Sequence, residues 1–258
     1  MREEAGLREQ PEPLDGRHQA PLRPEPAARP RRHRRQAHAG VRLHALPQGR
    51  QSNQSRLSLG DRVREWRIDR TTDRIARRPH GRQARETYGS PTSHDFAWPP
   101  VLDTLRLDPD DRLLDVGCGG GVFLCHVRDT VGCGVTGVDH SRDMVRLAAP
   151  LAVHGRVEEL PFEDGAFTAV SCLVAFFFFP DPVRALREMR RVLDPERGRI
   201  AVYTTAPEAK GSPAAPYPLA TRGHFYTDEE LVSLPLEAGF REARIAHREP
   251  WAQLLTAR

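Results

Sequence analysis

The stretch Leu113-Leu114-Asp115-Val116-Gly117-Cys118-Gly119-Gly120-Gly121 holds the residue types best suited to ligand chemistry. A short apolar run ends in glycines, which turn tightly and let a ligand approach the backbone with no Cβ in the way. A helix that follows such a turn aims unpaired N–H groups at whatever lies above the strand ends. The spacing from Gly117 is G-x-G-G-G, not the G-x-G-x-x-G of a dinucleotide pyrophosphate site, and an acid precedes it. A carboxylate at Asp115 repels phosphate and suits a ligand that carries an ammonium group. About twenty residues beyond the turn, Gly137-Val138-Asp139 ends a second apolar run, the place where an acid meets ribose hydroxyls. Taken alone, Asp139 could equally cap the helix that begins near Ser141.

Other candidates are less specific. Phe176-Phe177-Phe178-Phe179 follows a further apolar run, and its rings either line an acceptor pocket or fill the core; strand-like alternation turns two inward and two outward. His94 and Trp98, before the first strand, are placed to cover a site. His224 and Tyr226 fall between the fifth strand and the last helix. His94 and His224 are the candidate bases. Residues 207–218 (PEAKGSPAAPYP) read as a loop that closes over substrate. The cysteines at 118, 125, 133 and 172 form no C-x-x-C pair and no metal-ligand spacing, so no metal is expected and reduced, packed thiols are. No apolar run approaches the roughly 18 residues of a membrane helix, and the first residues lack the apolar core of a secretory signal. A cytoplasmic protein with no membrane span is expected.

These residues need a scaffold, and the texture of the chain supplies one from about residue 84. Short apolar runs alternate with helical patterns, the mark of βαβ units and a parallel sheet. Strands are expected at 112–116, 134–138, 153–157, 167–173, 199–204, 241–247 and 251–256. Helices are expected at 121–129, 142–149 (Ser141 as N-cap), 182–193 (Asp181 as N-cap before Pro182) and 228–238 (Thr227 as N-cap), with another leading into the first strand. Pro235 leaves the end of the 228–238 helix uncertain. Residues 1–80 differ: 19 arginines stand against 10 acids (net +9), while 81–258 carry 20 basic residues against 25 acidic ones (net −5). Lys210 is the only lysine in the chain, so the arginine excess looks like coding bias rather than selection for phosphate contacts. Residues 1–80 offer too little apolar surface to offset chain entropy of about 1–2 kcal/mol per residue. They read as a disordered, Arg/Pro-rich extension, with a short helix conceivable at 62–78, ahead of a domain at 81–258.

LLDVGCGGG, VTGVDHSRDMV, VEELPFEDGAFTAVSC and FPDPVRALREMRRVLDPERGRIAVY, in this order, resemble a class I S-adenosylmethionine-dependent methyltransferase of the small-molecule branch that includes quinone-biosynthesis and natural-product enzymes. The resemblance implies an α/β fold, a Rossmann-like, doubly wound, mostly parallel seven-stranded sheet, with S-adenosyl-L-methionine as cofactor. It implies that Asp115, Gly117, Cys118, Gly119 and Gly121 surround the methionine part of the cofactor. Asp139 would hold the ribose diol, His140 and Met144 flank the adenine, Val157 and Glu158 lie at its edge, and Leu173 sits beside the sulfonium. Trp98, Phe176, Phe178 and Tyr226 are the substrate-contacting candidates. Three departures stand out: Arg156 where the family often has an acid, Thr168 where aspartate is usual, and the phenylalanines where a histidine-containing stretch is common. Methyl transfer to a small, apolar or aromatic acceptor follows. The competing readings are a non-catalytic cofactor-binding module and an RNA methyltransferase that uses residues 1–80 as its arm. The chain lacks the Asn-Pro-Pro-Tyr stretch of nucleic-acid amino methylases, so a nucleic-acid acceptor is disfavoured.

Overall fold

The computed structural model describes residues 73–217 and 219–258. Seven strands make one sheet: β1 (Arg112–Val116), β2 (Gly134–Asp139), β3 (Ala152–His154), β4 (Ala169–Leu173), β5 (Arg199–Thr205), β6 (Ala243–Arg248) and β7 (Ala252–Ala257). Their order is β3-β2-β1-β4-β5-β7-β6. Pairings from β3 to β5 are parallel, and β7 runs antiparallel between β5 and β6. The helices are α1 (Gly81–Tyr88), α2 (Trp98–Leu105), α3 (Val122–Thr130), α4 (Arg142–Ala148), α5 (Pro182–Val192), α6 (Leu219–Arg222) and α7 (Asp228–Glu237).

The two-residue period of the strands sets the layers. Leu114, Val116, Val170 and Val202 point to one face, where they pack with Leu186 and Met189 of α5 and Leu231 of α7. Leu113, Ala169, Ala201 and Tyr203 point to the other, against Val101 and Leu105 of α2 and Phe123 and Val127 of α3. Both faces are covered, so the strands read as continuous apolar runs, as a doubly wound sheet requires. Helix entry follows the capping signals. The Asp181 carboxylate accepts from Arg184 N at 2.9 Å ahead of Pro182. Thr227 and Glu230 form a reciprocal capping box at α7, and Ser141 Oγ accepts from Met144 N at 3.4 Å.

Thr168 has a structural use. Its hydroxyl donates to Asp111 Oδ1 at 2.6 Å and accepts from Arg112 N at 2.9 Å. Asp111 also pairs with Arg199 at 2.7 Å. This network ties the starts of β1, β4 and β5 together at the end of the sheet opposite the glycine turn.

Several boundaries differ from expectation. β3 stops at His154, since Arg156 pairs back on Glu159 and carries Val157 and Glu158 into a turn. β4 begins at Ala169, with Phe167 making only an isolated bridge to Leu193. The described fold starts before residue 81: Asp73–Arg77 form a single π-helical turn, and α1 follows at Gly81. Pro79 is buried, and its carbonyl accepts a hydrogen bond from Ser141 Oγ. Asp143 Oδ2 accepts from Gly81 N at 2.7 Å and from Arg85 Nη1 at 3.0 Å. Residues 73–88 are thus held to α4 by polar contacts that no apolar pattern announces. The expected disorder of residues 1–72 and the first part of the 62–78 helix lie outside the described residues.

Candidate active site at the carboxyl ends of the parallel strands

A cavity of about 550 Å³ opens where β1 has β2 on one side and β4 on the other. In an open α/β sheet, this change of winding direction leaves a crevice beyond the strand ends. The volume falls in the range of small-molecule sites, roughly 300–1,000 Å³. Among the described residues, no helix is long and apolar enough to cross a membrane, and no group of three or more His, Cys, Asp or Glu side chains could hold a metal ion.

The glycine turn forms one wall. Gly117 and Gly119 adopt φ +76° and +52°, where a side chain is strained. A Cβ on Gly117 would also stand 2.8 Å from Ala175 Cβ. The N–H groups of Gly117 and Cys118 both donate to the Val138 carbonyl, at 2.8 and 3.2 Å, which fixes the turn to the end of β2. Burial, with Asp115 and Asp139 nearby, pushes the Cys118 thiol well up, so it lines the cavity as a neutral, packed group.

Asp115 is 3% exposed, and its Oδ1 accepts from Ser171 Oγ at 2.6 Å across the β1–β4 register. Burial raises its pKa to about 7; the serine hydrogen bond opposes the shift and Asp139 adds to it. Asp139 is 6% exposed. One oxygen accepts from Gly119 N at 3.0 Å and the other from Ser141 N at 2.7 Å. Its pKa is raised, by burial above all, against the pull of those amides and of His140 and His154. The cap of α4 is the Ser141 hydroxyl, which leaves Asp139 linking the glycine turn to the end of β2. Two acids thus face one cavity, held by a serine hydroxyl and backbone amides, with His140 Nδ1 3.6 Å from Asp139. Such a site favours ligand groups that carry positive charge or donate hydrogen bonds.

The structure brings most of the expected residues to this cavity: Asp115, Gly117, Cys118, Gly119, Asp139, His140, Val157, Glu158, Leu173, Trp98, Phe178 and His94 all line it. Five others are placed elsewhere. Met144 is fully buried beneath α4. Phe176 and Tyr226 pack on each other at 5.6 Å between ring centroids within the main core cluster. Exposed His224 lies against Tyr226 at 4.3 Å, outside the cavity. The phenylalanine run divides as 176–177 in the core and 178–179 at the cavity, because it forms a 3₁₀ turn rather than an alternating strand. Gly121 is required for packing: it is the N-cap of α3 at φ +76°, and a Cβ there would stand 2.7 Å from Ala148 Cβ.

Other lining residues carry no motif. Tyr88 at the end of α1 lies over Gly119 and Gly120. Burial, with Asp139, pushes its phenol up to about 12. Ala76 to Pro79 close the same side. Val174, just past β4, sits at φ +56°, a strained setting for a β-branched residue. Its N–H donates to the Tyr203 carbonyl at 2.8 Å, which holds it there. Only the aromatic ring of Tyr88, amid small and polar residues, could have drawn notice in the sequence.

Residues 114–202 match a family described as a methyltransferase domain. Among curated proteins, the chain is 30% identical over 122 residues to the uncharacterized methyltransferase YcgJ of Bacillus subtilis, covering 42% of this chain and 46% of that one. It is 35% identical over 117 residues to demethylmenaquinone methyltransferase of Staphylococcus aureus, covering 42% and 48%. The chain therefore spans about half the length of the curated relatives it matches. Among solved structures, a Thermotoga maritima S-adenosylmethionine-dependent methyltransferase, described as a possible histamine N-methyltransferase, superposes with a TM-score of 0.52 at 20% identity. That match covers 76% of this chain and 97% of the other.

Proposed function

We propose that this protein transfers a methyl group from S-adenosylmethionine to a small, apolar or aromatic acceptor. The observation that carries the reading is the pair of buried acids, Asp115 and Asp139, on either side of a glycine turn in one cavity. An ammonium group suits Asp115, because it supplies the positive charge that this buried carboxylate lacks. A ribose diol suits Asp139, because two hydroxyl donors can add to an acid that already accepts two amides. The residues present therefore fit the cofactor. Bound there, it would supply a sulfonium methyl already activated for in-line displacement, which leaves alignment and exclusion of water to the protein. Gly117 and Gly119 give the backbone close approach, and Tyr88 with residues 76–79 keeps solvent off the turn. Leu173, Trp98, Phe178 and Phe179 supply apolar walls for the acceptor.

The Staphylococcus aureus relative is named for demethylmenaquinone, so quinols lead the choice of acceptors to test. The protein is incubated with methyl-labelled S-adenosylmethionine and a panel of quinols, phenols and amines, and product label is counted. Label in an aromatic acceptor supports the proposal. Tight donor binding with no transfer to any member would favour the non-catalytic module instead.

A further inference from the structure

The cavity has two unlike halves. Toward the ends of β2 and β3 it is polar, with Asp139, His140, His154, Arg156 and Glu158. Toward the end of β4 the lining comes from Leu173 to Ala175, Phe178 to Pro180, and the 88–98 segment. This half holds the Tyr88 phenol and the His94 imidazole. Arg77 and Arg78 line the cavity on the Tyr88 side, and Asp115 stands at the end of β1, between β2 and β4. His94 belongs to this half by its contacts: its ring lies 5.9 Å from Phe96, and Phe96 lies 6.0 Å from Tyr203 on β5, the strand beyond β4. Tyr88 flanks its other side at 5.7 Å.

We propose, building on the methyltransferase reading, that His94 is the general base of this site and that the acceptor is a hydroxyl-bearing aromatic molecule methylated on oxygen. The aromatic walls suit a ring, and the imidazole is the group able to take a proton near neutral pH. His94 Nδ1 lies 3.3 Å from Ser93 Oγ, while Nε2 has no partner among the described residues. The acceptor oxygen forms the new O–CH3 bond as the methyl C–S bond breaks and its electron pair stays on sulfur. The hydroxyl proton passes to Nε2, and the imidazolium later releases it to water. Burial lowers the His94 pKa and keeps the ring neutral and receptive; neighbouring Asp95 opposes this in part. The other groups around the ring are the Ser93 hydroxyl and the Tyr88 phenol, itself facing Asp139.

His94 also adopts φ 59°, ψ 23°, a left-handed conformation that asparagine tolerates. His94→Asn therefore removes the base without straining the backbone. The test uses 4-nitrophenol, whose absorbance distinguishes phenol from phenolate, added to protein saturated with S-adenosylhomocysteine. Calorimetry first establishes that wild type and His94→Asn bind S-adenosylhomocysteine within about threefold of each other; a larger loss on substitution places His94 in cofactor binding and overturns the assignment. With binding matched, the proposal requires bound 4-nitrophenol to ionise at least one pH unit lower in wild type than in His94→Asn. Equal ionisation in the two proteins overturns it, as does failure of cofactor-loaded wild type to bind any phenol of a substituted series. That last outcome leaves the methyl-donor reading standing, whereas absence of S-adenosylhomocysteine binding removes both.

Discussion

Replacing Asp115 by Asn should stabilise the ligand-free protein while weakening its hold on the cofactor. The Asp115 carboxyl ionises near 3.8 in the unfolded chain and near 7 in the fold, chiefly through burial. Between those values the folded state binds more protons than the unfolded one, so stability falls as pH rises. Raising the carboxyl from 3.8 to about 7 makes this cost about 4 kcal/mol at pH 8 and close to zero below pH 4. Asparagine has nearly the same shape, can still accept from Ser171 Oγ, and carries no charge. Thermal melts of both proteins from pH 4 to 8 should therefore nearly coincide at the acid end and diverge with rising pH. At pH 8 the gap should reach about 10 °C in Tm for a domain of this size. Calorimetry at pH 8 should show the opposite ranking for S-adenosylmethionine, since its ammonium group loses the carboxylate charge of Asp115. A Tm difference independent of pH, or a variant less stable than wild type at pH 8, would refute the reasoning that this acid is held at a cost for the sake of its ligand.

Two further substitutions probe the scaffold. Gly121→Ala combines left-handed strain with a 2.7 Å approach to Ala148 Cβ and should destabilise by about 2–4 kcal/mol; the urea midpoint should fall without a change in slope. Among the described residues the buried Thr204 hydroxyl has no hydrogen-bond partner, so Thr204→Val should be neutral or stabilise by about 1 kcal/mol in the same assay.

The parts of this molecule legible in sequence are those governed by local pattern. The β1 run and glycine turn, the acid ending β2, and the capped helices α5 and α7 all obey short-range rules of period, capping and backbone freedom. The phenylalanine run misled because an alternating reading presupposes an extended strand, and a 3₁₀ turn sends consecutive rings to different places. Met144 and Tyr226 stand near the expected ligand in sequence, yet they face the core, and only the packing of α4 and α7 decides that. Tyr88 and Pro79 carry no pattern that ties them to the cavity, for a different reason. They reach the cavity through Ser141 and Asp143, polar contacts across about sixty residues of chain, and neither leaves a periodic trace.

The central claim is that the cavity is built for S-adenosylmethionine, and calorimetric titration with S-adenosylhomocysteine tests it most directly. Wild type should bind one equivalent, and Asp139→Ala should bind more weakly by about 1–3 kcal/mol, the cost of removing a charged hydrogen-bond acceptor from the ribose. Absence of binding by folded wild type, or equal affinity in the two proteins, would contradict the account.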